Sequence, residues 1–300
     1  MKHIFIVNPV SGHGRSKKII PWIHDYCQAN GKDYEILMTE GKGHATQLAA
    51  RYSAKDDVTV YACGGDGTGY EVLNGMQAGV PMAVIPSGTG NDFTRMFEYP
   101  KGLSLKDTLF QTIDGKEAQV DIGRANQTML FHNCLTMGLD AAVTVKAEKL
   151  CKKLPIPSKL VYIVSVFLTL KERKPIDLEL TMDGKTTHHQ MLLLAIMNGK
   201  FYGGGFKPTP DASVQDGVFD ICLVDYTSLS RILLLLPKYM VGKHVLEREA
   251  HFYKCSSLQV KTAQLVPSQI DGEVKYLQEY DCKLQPKFIT VRVPQASGLN

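Results

Sequence analysis

Val58-Thr59-Val60-Tyr61-Ala62-Cys63-Gly64-Gly65-Asp66-Gly67-Thr68-Gly69-Tyr70-Glu71 is the stretch from which the fold can be read. An apolar run, Val58 to Ala62, drives into a glycine-rich turn, and an amphipathic segment from Gly69 to Met76 leaves it. A turn of this kind between strand and helix aims backbone N–H groups and a helix N-terminus at one point, which suits phosphate. Glycines at 64, 65 and 67 permit close backbone approach and positive φ. Asp66 puts a carboxylate beside the phosphates, which makes sense there if it holds a metal ion or accepts a proton. Read locally, it can equally cap the next helix.

Outward from this turn, the first third alternates β-branched runs with helix-like segments. Strands are expected at Ile4 to Val10, Tyr34 to Thr39, Val58 to Cys63 and Met82 to Pro86, with helices near 15–29, 44–53 and 69–77. That alternation predicts an α/β lobe with a parallel sheet and helices on both faces. Ligands of such sheets gather outside the carboxyl ends of the strands. All four expected strands end in polar turns: Asn8-Pro9-Val10-Ser11-Gly12, Thr39-Glu40-Gly41, Gly64 to Thr68, and Ser87-Gly88-Thr89-Gly90-Asn91-Asp92.

From about residue 118 the pattern shifts to period-two runs: Gln119 to Gly123, Ile176 to Met182, Gln190 to Asn198, Val218 to Val224, Ser257 to Lys261 and Ile289 to Val293. Asp-Gly pairs at Asp183-Gly184, Asp216-Gly217 and Asp271-Gly272 separate several of them, predicting a mostly antiparallel second lobe. Helical interruptions are expected near 139–152, 158–173 and 228–243. The division expected is 1–122 for the nucleotide lobe and 123–286 for the β-rich lobe.

The chain of 300 residues suits two modest domains around a cleft. Its apolar content of 44% and charged content of 21% are those of a globular protein. A net charge of +4 without a run of consecutive basic residues argues against nucleic acid as a partner. Seven scattered cysteines with no C-x-x-C pair predict buried, reduced thiols and a cytoplasmic location. No H-E-x-x-H or Cys/His cluster suggests zinc. The N-terminus lacks the features of a signal peptide. The longest apolar stretch, Leu160 to Leu170, is about half the ~20 residues that cross a bilayer, so no transmembrane segment is expected.

Asn8-Pro9-x-Ser11-Gly12, Gly64-Gly65-Asp66-Gly67-Thr68 and Ser87-Gly88-Thr89-x-Asn91-Asp92-Phe93, in this order and spacing, resemble the diacylglycerol kinase catalytic-domain family, including soluble bacterial lipid kinases. The resemblance continues through Asn198-Gly199-Lys200-Phe201-Tyr202-Gly203-Gly204-Gly205, Asp216-Gly217-Val218-Phe219-Asp220 and Asp271-Gly272-Glu273, so it covers nearly the whole chain. It implies a Rossmann-like, phosphofructokinase-like nucleotide lobe and a β-sandwich lobe with ATP between them. It also implies a C-terminal strand, 287–300, that returns to the first lobe. The activity implied is transfer of the ATP γ-phosphoryl group to a lipid hydroxyl, giving phosphatidic acid when the acceptor is diacylglycerol.

By the same resemblance, nucleotide contacts fall to Asn8, Ser11, Gly12, Thr39, Gly65, Asp66, Gly67, Thr68, Gly69, Tyr70, Glu71, Ser87, Gly88 and Thr89. The proton acceptor is Glu273 in first place and Asp271 in second; locally, Asp271-Gly272 needs no role beyond a hairpin turn. A structural Mg²⁺ is implied at Asp216, with main-chain oxygens of Ser213 and Val218. Because no G-x-x-x-x-G-K-[ST] loop supplies a lysine, Mg²⁺ is expected to carry more of the ATP charge.

The glycines at 203–205 can line the lipid entrance or form a plain connection. The basic, apolar stretch from Lys146 to Lys174, with Leu229 to Val241, is a candidate for peripheral contact with the cytoplasmic membrane, although such helices often only bury one face. Other readings are a kinase for another lipid alcohol of the sphingoid type, an NAD kinase, or a non-catalytic nucleotide- or lipid-sensing protein. The Ser-Gly-Thr-x-Asn-Asp and Asp-Gly-Glu segments disfavour NAD kinase and phosphofructokinase. A two-fold homodimer is only the general prior for soluble oligomers.

Overall fold

The computed structural model describes residues 1–99, 102–151 and 158–299. Lys152 and Lys153 of the basic stretch lie outside the described residues, as do the side chains of Cys151, Lys159 and Leu160. The first lobe is built from β1 (Lys2–Val7), a single turn α1 (Ser11–Gly14), α2 (Ile19–Ala29), β2 (Tyr34–Met38), α3 (His44–Ala49), β3 (Val58–Gly64), α4 (Asp66–Gly75), β4 (Met82–Pro86) and α5 (Leu105–Ile113). Its sheet runs β2-β1-β3-β4 and is parallel throughout.

Strand alternation sorts the core onto the two faces of this sheet. Ile4, Ile6, Val60 and Ala62 pack with Leu48 of α3 and Val72 of α4, while Phe5, Val7, Tyr61 and Cys63 pack with Ile19 and Ile23 of α2 and Leu109 of α5. With both faces covered, the strands read as near-continuous apolar runs. β1 stops at Val7, short of the expected Val10. Proline at position 9 has no N–H for a ladder, and Asn8 Oδ1 instead accepts the Val10 N–H at 3.3 Å.

The second lobe comprises β5 (Lys116–Ala125), β6 (Met129–Phe131), β7 (Cys134–Gly138), α6 (Leu139–Cys151), α7 (Ser158–Glu172), β8 (Ile176–Met182), β9 (Lys185–Met197), β10 (Phe219–Asp225), α8 (Leu229–Val241), β11 (Ala250–Cys255), β12 (Ser257–Ile270) and β13 (Glu273–Val293). Its pairings are antiparallel, with β7 and β8 end to end between β9 and β12. One face closes over Leu180, Leu194, Ile196, Phe219 and Ile221. The other, bearing Leu193, Ala195 and Val224, is covered by Leu170 of α7 and by Ile232 and Tyr239 of α8.

Two strands belong to both lobes. β5 pairs along β13, and β13 reaches the parallel sheet at Val291, beside Met82 of β4. The pairing breaks between Gln285 and Ile289, where Lys287 turns to a φ of 50°. Buried Asp121 of β5 pins this bend: Oδ1 accepts the Lys287 N–H at 2.7 Å and Oδ2 accepts the Gly217 N–H at 2.8 Å. Thus the expected division at residue 122 falls inside a continuous strand. Among the described cysteines all six thiols are free and buried. No helix among the described residues is long and apolar enough to cross a membrane.

Candidate active site

The turns at the carboxyl ends of β1, β2 and β3 enclose a cavity of about 330 Å³ lined by Asn8, Ser11, Thr39, Gly65, Gly67, Thr68 and Glu71, all among the residues expected at the nucleotide, together with Lys42 and Glu273. Hydrogen bonds between the turns hold the polar wall. Asn8 Nδ2 donates to Thr68 Oγ1 at 3.2 Å, and Glu71 accepts the N–H groups of Gly43 at 2.8 Å and Ala45 at 3.2 Å, fastening α3 to α4. The Gly64–Thr68 and Ser87–Gly90 turns touch without side chains between them. A Cβ on Gly88 would lie 2.2 Å from Gly65 Cα, so the glycine allows the backbones to meet.

Other predicted residues fall outside this cavity. The Ser87 hydroxyl is buried and bonds Ser16 Oγ at 2.6 Å, while the Gly88 carbonyl accepts from Arg15, so both build the turn. Gly12 (φ 57°) sits with its Cα against the Ser87 carbonyl, and Gly69 leaves room for the His132 ring. Tyr70 turns toward the core of the second lobe, where burial pushes its phenol up to about 12. Asn91 does not cap a following helix: its amide folds back on Gly88 N and the Pro86 and Gly88 carbonyls.

Asp66 likewise does not cap its own helix. Its Oδ1 accepts the N–H groups of Asp92 at 2.7 Å and Phe93 at 3.3 Å. The carboxylate faces a second cavity of about 280 Å³, shared with Thr89, Asp92, Asn133, Tyr202, Gly204, Gln269 and Asp271. This cavity is where the lobes meet. The Gly203–Gly205 loop, all at positive φ, crosses to the first lobe as Gly204 N–H donates to Asp92 Oδ2 at 2.7 Å. Burial and the neighbouring Asp66 raise the Asp92 carboxyl to about 6, with Arg95 Nε at 3.3 Å opposing the shift.

Asp271 and Gly272, at φ 46° and 89°, make the two-residue turn of the β12–β13 hairpin, with Ile270 opposite Glu273. The turn also grips the 132–134 segment. Asp271 Oδ1 accepts from Asn133 N and Cys134 N at 3.1 and 2.9 Å, and Oδ2 accepts from His132 N at 2.7 Å. Even against these donors, burial raises the Asp271 carboxyl to about 7. His132, stacked on Phe93 at 4.4 Å with Nδ1 3.1 Å from Asp271, is pushed down to about 4 by burial. Glu273, two residues on, turns the other way into the first cavity, where Lys42 Nζ meets it at 2.5 Å. One hairpin therefore sends a carboxyl into each cavity.

Lys42, flanked by Gly41 and Gly43, is a residue the sequence reading missed; its signal was a lysine between glycines after a strand. It places a cation in the first cavity despite the missing P-loop lysine. Oxygen donors at Asp66 and Asp92, close enough to raise the Asp92 carboxyl, fit a divalent cation in the second cavity.

At Asp216, where a structural magnesium is expected, a lysine stands beside the carboxylate. Lys254 Nζ lies 3.5 Å from Asp216 and 3.0 Å from Asp220, so an ammonium already supplies the positive charge. Val218 presents its N–H to Asp216 Oδ1 at 3.4 Å, and Ser213 Oγ accepts from Gln215 N. Lys254→Met is expected to cost about 1 kcal/mol, the half-exposed lysine being screened by solvent. Thermal melts with Mg²⁺ and with EDTA check the substitution: the parent melts alike in both, and a parent stabilised by Mg²⁺ would contradict it.

A third cavity, about 310 Å³, lies between α6, α7 and α8 and the outer face of β9 and β10, walled by Leu139, Val143, Leu170, Leu193, Ile232 and Tyr239. Tyr202 lines both this cavity and the second one. So does a polar bridge: Gln269 of the second cavity donates to Asp140 of the third at 3.3 Å, and burial raises Asp140 to about 6.

Residues 2–125 match the family model described as the diacylglycerol kinase catalytic domain, and residues 133–293 match the YegS C-terminal NAD kinase beta sandwich-like domain. A diacylglycerol kinase of Staphylococcus saprophyticus is 28% identical over 291 residues, covering 96% of this chain and 92% of that protein. One of Bacillus subtilis is 28% identical over 273 residues, covering 89% and 88%. The crystal structure of a diacylglycerol kinase of Bacillus anthracis shares the fold, with a TM-score of 0.71 at 23% identity, covering 97% of this chain and 96% of that one.

Proposed function

Because the chain belongs to the diacylglycerol kinase catalytic-domain family, we propose that it transfers the γ-phosphoryl group of ATP to the hydroxyl of diacylglycerol, yielding phosphatidic acid and ADP. The observation that carries this reading is the succession of cavities: a polar one at the glycine turns, an acidic one at the lobe junction, and an apolar one joined to it through Tyr202.

ATP occupies the first cavity of a Rossmann-like lobe, its phosphates along Gly65 to Thr68 and beside Lys42. Phosphoryl transfer needs positioning and charge neutralisation more than covalent help. Magnesium, bound through Asp66 and Asp92, would supply that neutralisation together with Lys42. Glu273 takes the acceptor proton as the hydroxyl oxygen bonds to phosphorus and the bond to the ADP oxygen breaks. Asp271, with its oxygens already committed to three backbone N–H groups, orders the His132–Cys134 loop against the acceptor. The acyl chains enter the third cavity, whose walls suit a lipid and not a dinucleotide, and the enzyme meets its substrate at the cytoplasmic membrane.

Radiolabelled ATP offered with diacylglycerol, sphingoid bases, other lipid alcohols and NAD tests the reading. Label is expected in phosphatidic acid; label in NAD with no labelled lipid would overturn it. Val143→Trp, which fills the third cavity, is expected to raise KM for long-chain diacylglycerol at least tenfold while leaving KM for ATP unchanged. Equal kinetics on long and short chains would remove the cavity from the substrate path.

A further inference from the structure

The second and third cavities approach each other at a pair of polar side chains. Gln269 of β12 lines the second and Asp140, in the first turn of α6, lines the third, with the Gln269 amide donating to Asp140 Oδ2 at 3.3 Å. Asp140 is half-buried, so part of it stays accessible at the cavity it lines. Among the described residues of that wall it is the only carboxyl, and none is basic. The tyrosine hydroxyls there are turned to each other, Tyr202 donating to Tyr239 at 3.3 Å.

The Asp140 carboxyl is poorly provided for as an anion. Its Oδ1 is sealed among protein atoms without a hydrogen bond, and so is Oγ1 of the neighbouring Thr136. The groups that most favour a charge there, the Thr136 hydroxyl, the Gln269 amide and the Ala141 N–H, are all neutral, and burial outweighs them. Acyl chains filling the cavity would expel the remaining water and favour the neutral acid further. A neutral carboxyl has an O–H to donate, and an apolar wall gives that donor no acceptor. Such a group is costly unless a ligand brings the acceptor to it.

We propose that Asp140 determines specificity by reading the ester of the acceptor lipid, its carboxyl O–H donating to an ester carbonyl at the junction of the second and third cavities. In diacylglycerol one ester stands on the carbon next to the one that bears the hydroxyl. With the hydroxyl in the second cavity and the chains in the third, that ester falls between them, beside Asp140. A sphingoid base has no ester carbonyl, and its ammonium would call for an ionised Asp140. The inference rests on the lipid-kinase reading for where the hydroxyl lies; the contact with the ester is measured without ATP.

Titration calorimetry on the full chain, without nucleotide, compares dioctanoylglycerol with dioctylglycerol, the diether that keeps the hydroxyl and the chain length and lacks the carbonyls. The parent is expected to bind the diester about fivefold more tightly or better, the effect of one buried hydrogen bond and of the donor left unmet by the ether. Asp140→Leu should erase the preference, and Asp140→Asn, whose NH₂ group still donates, should keep most of it. Equal affinity for the two lipids in the parent, no binding of either, or a leucine variant with the parent's preference would overturn the proposal. Tighter binding of a sphingoid base than of the diester would overturn it too, since the carboxylate would then be meeting a cation. If the leucine variant does not fold, infrared spectra of dioctanoylglycerol isotopically labelled at its carbonyls decide the matter on the parent and Asp140→Asn. A carbonyl band lowered from its position in hydrocarbon is expected, and lowered less in Asp140→Asn because an amide is the weaker donor. Carbonyls that absorb as in hydrocarbon, or a band identical in the two proteins, would overturn the contact. An ester preference without labelled phosphatidic acid from ATP supports this proposal and counts against the kinase reading; labelled phosphatidic acid without the preference does the reverse.

Discussion

Asp271→Ala is expected to abolish turnover and to lower stability by about 2–5 kcal/mol, because it strips the acceptor from three buried backbone N–H groups at once. Water entering the adjoining cavity satisfies some of these donors, which keeps the cost below three full desolvation penalties. Asp271→Asn keeps one accepting oxygen but turns an NH₂ group toward a buried backbone N–H, so it is expected to cost less than alanine, about 1–3 kcal/mol. Parent and variants also separate in pH. A carboxyl raised from 3.8 to about 7 in the fold binds its proton more tightly there than in the unfolded chain. Its contribution is therefore complete below about pH 4 and is lost as pH rises through about 7. Both variants should lack that slope. Denaturant titrations between pH 4 and pH 8 check both statements, and an alanine variant as stable as its parent would remove Asp271 as the clamp of the 132–134 segment.

Glu273→Gln is the second large effect. The amide keeps the shape and loses the proton acceptor, so kcat is expected to fall about 10²–10⁴-fold, the range of a positioned general base. Nucleotide affinity should change only a few-fold, since the phosphates meet the glycine turns. Lys42 loses the carboxylate that meets it at 2.5 Å in the parent. Single-turnover kinetics beside calorimetric nucleotide titration separate the two terms. A near-normal single-turnover rate would pass the role of base to another group.

Much of this architecture is written in local patterns. Alternating β-branched runs and polar turns in the first third become the parallel sheet, because burial on both faces demands continuous apolar strands. Asp-Gly at 183–184 and 271–272 becomes a two-residue hairpin turn at positive φ, as that dipeptide favours. The glycine turn at 64–68 assembles the cavity with Asn8, Thr39 and Glu71, since strand ends of one parallel sheet share an edge.

What the sequence by itself determined is therefore the two-domain α/β plan and the family. Tertiary structure alone decided what each site residue faces. Asp66 reaches across to the N–H groups of Asp92 and Phe93, Ser87 turns inward to Ser16, and Lys254 stands against Asp216 where a magnesium ion was expected. Local sequence encodes strand, turn and helix through short-range sterics. The partner of a buried carboxylate is set by which distant segments packing brings within about 3 Å, and residue spacing carries no record of that distance. Lys42 and Glu273 lie at opposite ends of the chain and share one wall, because β13 returns along β5 to the sheet where the first strand began.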